Sequence, residues 1–159
     1  MDYLIRDAMA GDMPEVLMLI EELAIFEKEP EAVEVTAEDL IREGFGEHPL
    51  FHCFVAETNE GIVGIALVYF RFSTWKGRTV HLEDLIVKES MRGTGIGTAL
   101  YKRVLQYGKE KGVKRVEWNV LDWNKPAVDF YIKSGARILE GWQVVQMDAK
   151  SLEAFISKI

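Results

Sequence analysis

The chain has 159 residues, 48% of them hydrophobic and 28% charged, with a net charge of -7; it can build a packed core, which excludes a disordered or linker-like protein. Its longest apolar run, residues 62–70, is far shorter than the roughly 18 residues of a membrane helix, and a single cysteine, Cys53, excludes an internal disulfide framework. No basic run with interleaved aromatics is present, which argues against nucleic acid as a main partner.

Residues 2–7 read as a short strand, Tyr3 to Ile5 being flanked by charge. Asp12, Pro14 and Glu15 read as a capped helix start. Val16, Leu19, Ile20, Leu23 and Phe26 then recur at helical spacing, so one face is buried, with Glu21, Glu22 and Glu27 elsewhere on the helix. Residues 27–35 are too acidic and proline-broken for regular structure and read as a mobile loop. Thr36, with Asp39 three residues on, opens a second helix that stops at Gly44. Residues 51–57 and 62–72, joined by Asn59-Glu60-Gly61, read as a hairpin; 78–87 and 113–121 read as two more strands. Between those two, Ile96, Leu100, Val104 and Tyr107 share one helix face that ends at Gly112. A later helix starts near Asn124 and Pro126 and ends at Gly135. Short strands at 137–139 and 142–147 and an amphipathic helix over 152–159 complete an order of β-α-α-β-β-β-α-β-α-β-β-α. The whole chain, 1–159, reads as one domain of α/β (α+β) class, a sheet with helices on both faces. The opening MDYLIRD has no signal-peptide zones, so the expected location is the cytoplasm, away from membranes.

The net charge hides a split. Residues 1–60 carry 16 acidic and 3 basic side chains, whereas 61–159 carry 10 and 16, giving local charges of -13 and +6. That division suits a protein holding a cation and a phosphorylated molecule together; acidic residues coating solvated helix faces would produce it too.

Arg92-Gly93-Thr94-Gly95-Ile96-Gly97-Thr98 lies between a strand and a helix. Three glycines let successive N–H groups turn toward one point, the helix N-terminus adds partial positive charge, and Arg92 adds a cation: an anion site for a phosphate or pyrophosphate. No lysine follows, so the turn is not a Walker loop; the G-x-G-x-G spacing after several strands is not the Rossmann fingerprint. A plain strand-to-helix turn would need one glycine. This turn resembles the R-G-x-G-[IV]-[GA] pyrophosphate-binding turn of the GNAT superfamily of N-acetyltransferases, and the element order is similar over nearly the whole chain. Gly44-Phe45-Gly46-Glu47-His48-Pro49, His81-Leu82-Glu83-Asp84-Leu85, Trp123-Asn124-Lys125-Pro126 and Phe130-Tyr131 resemble its diamine (spermidine/spermine) N-acetyltransferase subfamily, which also includes enzymes for thialysine-like amino acids.

The resemblance implies a mixed, mostly antiparallel sheet splayed between the fourth and fifth strands. It also implies acetyl-CoA as cosubstrate, no metal, a small amine as the other substrate, and a homodimer with the C-terminal strand region at its interface. Glu83 is the implied base, since an alkylammonium has a pKa near 10.4 and must lose a proton before it attacks. Tyr131, protonated at neutral pH, is the implied acid for the departing thiolate. Glu83-Asp84 could equally be an exposed pair at a strand end, and Tyr131 a packing residue. In a regular strand the two carboxylates face opposite sides, and only a bulge brings them together.

For the cosubstrate, the resemblance implies backbone groups of Leu85, Ile86 and Val87, the turn from Arg92 and Gly93 through Thr94, Gly95, Ile96 and Gly97 to Thr98, and Asn119, Asn124, Pro126 and Ala127. For the amine it implies Phe26, Glu27, Trp75, Glu83 and Asp84, where aromatic faces and carboxylates suit an alkylammonium. Lys125 stands where the polyamine enzymes have an acidic residue, and Ile25-Phe26 where the family often has Lys-Tyr. A carboxylate-bearing substrate would need a cation, and Arg71, Lys76 or Arg78 could serve. The readings in order are therefore acetyl transfer by direct attack to a small polycationic amine, acetylation of thialysine or another lysine-like amino acid, and a non-catalytic acyl-CoA-binding module. Cys53 beside His52 is a weak thiol-catalyst pattern, and His48, His52 and His81 show no metal spacing.

Overall fold

Hairpins join the second strand to the third and the third to the fourth, and helices link the outer strands. In the computed structural model, which describes residues 2–158, β1 (Leu4–Asp7), β2 (His52–Thr58), β3 (Gly61–Ser73), β4 (Gly77–Val87) and β5 (Val116–Glu117) lie side by side in chain order. β1 through β4 pair antiparallel and β5 joins β4 in parallel. Gly61, at φ +100°, closes the β2–β3 turn in a conformation that side-chain-bearing residues avoid. The residues form two compact units, Met1–Asn119 and Val120–Ile159.

Strand alternation sends apolar side chains to both faces of the first unit. On one face Phe54, Ala66, Val68, Val80 and Leu82 pack with Ile96, Leu100, Val104 and Tyr107 of α3 (Ile96–Glu110). On the other, Cys53, Val55, Ile65, Leu67 and Ile86 pack with Met13, Val16 and Leu19 of α1 (Met13–Phe26) and Leu40 of α2 (Ala37–Phe45). Full burial of each Leu, Ile, Val or Phe contributes roughly 1.5–3 kcal/mol, which makes these two clusters the main source of the unit's stability. Gly64 lets α3 approach the sheet, because a Cβ there would sit 3.0 Å from Leu100 Cδ1 and 3.2 Å from the Ile86 carbonyl.

Thr36 caps α2 as its spacing predicts, accepting from Asp39 N at 3.1 Å while its own N–H donates to Asp39 Oδ2 at 2.9 Å. Asp12 departs from expectation. Its carboxylate makes no cap bond to α1; it accepts from Met9 N at 2.7 Å and from Arg6 at 2.8 and 3.1 Å. Arg6 also bonds Glu57 at 2.8 Å. A buried carboxylate beside a guanidinium gains more from that cation than from a helix N–H, and the Arg6 hydrogen bond holds the Asp12 carboxyl below its ordinary range.

The expected strand at 113–121 shortens to the two residues of β5, which meets β4 only at Val80↔Val116 and His81↔Glu117. Beyond that point β4 continues to Val87 paired with β3 alone. The sheet is thus open between its fourth and fifth strands.

The second unit contains α4 (Lys125–Lys133) and α5 (Ala149–Ile156). Pro126 lies in the first turn of α4, where its missing N–H costs nothing, and Asp148 caps α5 by accepting from Ser151 N at 2.8 Å. The expected strands at 137–139 and 142–147 are not formed. Ile138, Leu139, Trp142, Val144, Val145 and Met147 are exposed; an alternating apolar pattern becomes a strand only where a neighbour takes its backbone groups and buries one face. The last helix ends earlier than 159, and Ile159 lies outside the described residues.

Candidate active site

The turn after β4 has the backbone its glycines predict. Gly93 and Gly95 hold φ at +78° and +88° with open space around each Cβ position, so backbone conformation alone calls for glycine there. Thr94 braces the turn by donating Oγ1–H to the Met91 carbonyl at 2.6 Å. Gly95 is the N-cap of α3 and, having no side chain, offers no capping acceptor. The first N–H groups of α3 are thus left for an anion, in line with the helix dipole. Arg92 stands at this turn: its Nε donates to the Val87 carbonyl at 3.2 Å and its guanidinium lies 5.5 Å from the Phe26 ring centroid, with Glu22 at 4.0 Å. Phe26, at the end of α1, is thereby beside the turn.

The carboxylates come together through a register shift. Leu67 pairs with Asp84 and Val68 with Leu82, so Glu83 is an extra residue in β4. Val80 and Leu82 before it, and Leu85 and Val87 after it, all pack in the α3-side core. That change of parity puts His81, Glu83, Asp84 and Ile86 on the opposite face, the side of α1. Glu27 follows directly on the last residue of α1 and acts on both Glu83 and Asp84 electrostatically.

The two adjacent carboxyls are driven apart. Glu83, half-exposed, is held below the usual carboxylate range, first by the His81 side chain and then by Tyr69. Tyr69 Oη–H donates to Glu83 Oε2 at 3.0 Å, and His81 Nε2 stands 3.4 Å from the same oxygen. Asp84 is pushed up to about 7, chiefly by burial and then by the charges of Glu83 and Glu27. Glu27 also rises, through burial and then Glu83, at a helix end whose dipole disfavours an anion. Together these groups are a sink for a cation and for a proton at neutral pH.

Other expected residues fall as follows. Leu85, Ile86 and Val87 form the end of β4 beyond its pairing with β5, and Asn119 closes the first unit. Trp75 is exposed at the β3–β4 hairpin tip with Lys76. Of the candidate cations for a substrate carboxylate, Arg71 bonds Glu117 at 2.7 Å and Arg78 lies 4.6 Å from the Phe70 ring centroid. Within the second unit, Asn124 is the N-cap of α4, Pro126 and Ala127 lie in its first turn, and Tyr131 packs edge-on against Phe130 with centroids 5.7 Å apart. Cys53 is buried and its thiol is pushed up to about 12, mainly by burial, which leaves no thiolate for nucleophilic attack. Among the described residues no group of three or more His, Cys, Asp or Glu could hold a metal ion, and no helix is long and apolar enough to cross a membrane.

Sequence reasoning did not assign Tyr69, Arg71, His81 and Glu117 to the surroundings of Glu83. Their alternation, Tyr69 with Arg71 on β3 and His81 with Glu83 on β4, was the available signal; only the pairing Tyr69↔His81 reveals that the two sets meet.

An open sheet, a positive-φ glycine turn leading from its fourth strand into α3 and carboxylates on one face of that strand have the layout of an N-acetyltransferase. Residues 16–136 match the Acetyltransferase (GNAT) family, and the chain belongs to that family. It is 42% identical over 166 residues to a thialysine N-epsilon-acetyltransferase of Sus scrofa, with 98% of each chain covered. It is 39% identical over 163 residues to a human spermidine/spermine N(1)-acetyltransferase-like protein 1, covering 96% of this chain and 24% of that protein. Among solved structures, an integron cassette protein from the V. cholerae mobile metagenome shares the fold at TM-score 0.79 and 22% identity, covering 98% of both chains. The chain is an N-acetyltransferase, so the reading as a non-catalytic module is set aside.

Proposed function

We propose that this enzyme transfers the acetyl group of acetyl-CoA, by direct attack, to a terminal primary amine of a small polycationic amine, a diamine or polyamine. The observation that carries this reading is the face shared by Glu83 and Asp84, with Glu27 acting on both: three carboxylates attract an alkylammonium and offer its proton a destination.

When bound, acetyl-CoA supplies a thioester carbonyl for the amine nitrogen to attack. The glycine turn fits its pyrophosphate, since Gly93 and Gly95 hold positive φ and α3 has no capping side chain. Arg92 and Gly93 to Thr98 would hold its phosphates and the β4 backbone from Leu85 to Val87 its pantetheine arm; Asn119 and, in the second unit, Asn124, Pro126 and Ala127 are further candidate contacts. Glu83 meets the ammonium and takes its proton, directly or through water. Asp84, whose affinity for a proton is tuned near neutrality, shares that proton within the coupled pair. Tyr131 would supply the proton that the departing thiolate needs when the amine takes the acetyl group. Phe26 supplies an aromatic face for the alkyl chain. The same reading expects a homodimer, which sedimentation velocity checks.

A second acceptor, thialysine or another lysine-like amino acid, is favoured by the name of the Sus scrofa relative. Both acceptors present a primary amine on a flexible chain. A steady-state screen of spermidine, spermine, putrescine, thialysine and lysine with acetyl-CoA separates them: the polyamine reading requires higher kcat/KM for the polyamines than for thialysine. The reverse order selects the second reading, and acetylation of peptide N-termini with none of the five defeats both.

A further inference from the structure

We propose that His81 is a positioning residue that fixes Glu83 through Oε2 and leaves Oε1 as the free proton acceptor, with Arg71 and Glu117 fixing His81 in turn. The inference rests on the reading of Glu83 as the group that takes the proton.

A guanidinium can only donate. Arg71 Nη1 lies 3.3 Å from His81 Nδ1, so Nδ1 is the acceptor and the ring proton sits on Nε2. That nitrogen faces Glu83 Oε2 at 3.4 Å, the oxygen that also accepts from Tyr69. Glu83 Oε1 accepts no hydrogen bond among the described residues. One oxygen is therefore tethered from two directions while the other stays open.

Arg71 is itself held. Its Nη1 is 2.7 Å from Glu117 Oε1, and Arg115 meets Glu117 Oε2 at 3.2 Å. The line runs from Arg115 through Glu117, Arg71 and His81 to Glu83, crossing β5, β3 and β4 where β4 and β5 last pair. His81 is buried, and its ring lies beside Tyr69 at a centroid distance of 5.1 Å. With its Nδ1 turned to Arg71 and its Nε2 to Glu83, the imidazole acts through Glu83. Holding the carboxylate by one oxygen reduces the reorganisation needed when the ammonium arrives.

The groups that act on Glu83 are Tyr69 and Arg71 from β3 and His81 and Asp84 from β4, with Glu27 from the end of α1 and Glu117 from β5 through His81. Removing the His81 donor weakens the preference for the ionised carboxylate, so the acid limb of kcat/KM moves to higher pH. His81→Phe, which keeps the packing, is expected to show that movement and a loss of about three- to tenfold in kcat, with KM for acetyl-CoA unchanged. His81→Gln, which restores an N–H donor, is expected to recover most of both. Arg71→Met, which leaves the ring in place, is expected to act in the same direction.

Carboxyl 13C NMR titration, with Glu83 assigned by difference from Glu83→Gln, reads the tether without turnover and is expected to show Glu83 titrating at higher pH in His81→Phe. Equal losses in His81→Phe and His81→Gln with an unmoved acid limb, or an unmoved Glu83 titration in both His81→Phe and Arg71→Met, would overturn the proposal. Retained activity in Glu83→Gln defeats the proton-acceptor reading instead, whatever the titration shows.

Discussion

Glu83 and Asp84 are chain neighbours of the same chemistry, yet their surroundings assign them different protonation states. Glu83 has donors from His81 and Tyr69, whereas Asp84 is mostly buried and faces two anions. Asp84 binds a proton in the folded chain at pH values where the unfolded chain has already released it. Its contribution to stability is therefore greatest at acid pH, declines from about pH 4 toward 7, and becomes a net cost above that. Asp84→Asn removes that cost: it is expected to raise stability by about 1–3 kcal/mol above pH 7 and to lower activity toward amines. Denaturant melts at pH 5 and 8 check it; an equal effect at both would show that Asp84 ionises normally. Glu83→Gln is expected to reduce kcat by about 10²- to 10⁴-fold, the usual contribution of an acid–base group. Tyr131→Phe is expected to lose turnover but keep acetyl-CoA binding by calorimetry, and unchanged turnover would remove Tyr131 from the mechanism.

At the scale of elements, two backbone irregularities make the site. The first is the turn before α3, where Gly95 carries φ +88°. Gly95→Ala places a side chain in the left-handed region at about 1–2 kcal/mol, and acetyl-CoA is expected to bind about tenfold more weakly with the thermal midpoint only slightly lowered. An unchanged Kd would mean that the turn does not hold the phosphates. This turn was legible in the sequence because glycines at such spacing have few other uses. The extra residue in β4 was not, because a bulge depends on which β3 residue each β4 residue meets; residues 78–87 read equally well as a regular strand. Nor did Asp12 reveal that Arg6, six residues earlier, would claim its carboxylate from α1. The α1, α2 and α3 faces were legible because helical periodicity is a local property. The strands expected at 137–139 and 142–147 failed for the converse reason: alternation records a capacity to pair, and pairing needs a partner strand.

Across the whole molecule the charge split gains a physical content. The -13 segment brings Glu27 to the carboxylate face, and the +6 segment brings Arg92 to the turn. Most of the acidic side chains are elsewhere: residues 28–35 carry three of them without strand or helix, and Asp39 and Glu43 pair with Arg42. If the acidic segment acts at long range, its field reaches a cationic substrate only within the screening length, about 8–10 Å near physiological ionic strength. Raising sodium chloride from about 50 to 500 mM, which shortens that length about threefold, should therefore increase KM for the amine while kcat at saturation changes little. Replacing three acidic residues of the 27–35 segment that the site does not use, Glu29, Glu31 and Glu34, by glutamine should flatten that salt dependence only if the field is diffuse. If Glu27, Glu83 and Asp84 supply the attraction, the triple variant keeps the wild-type slope and Glu27→Gln reduces it. The expected result is the second, since Glu27, Glu83 and Asp84 act on one another at close range, whereas Glu29, Glu31 and Glu34 are exposed and an exposed charge acts little beyond the screening length even at physiological ionic strength.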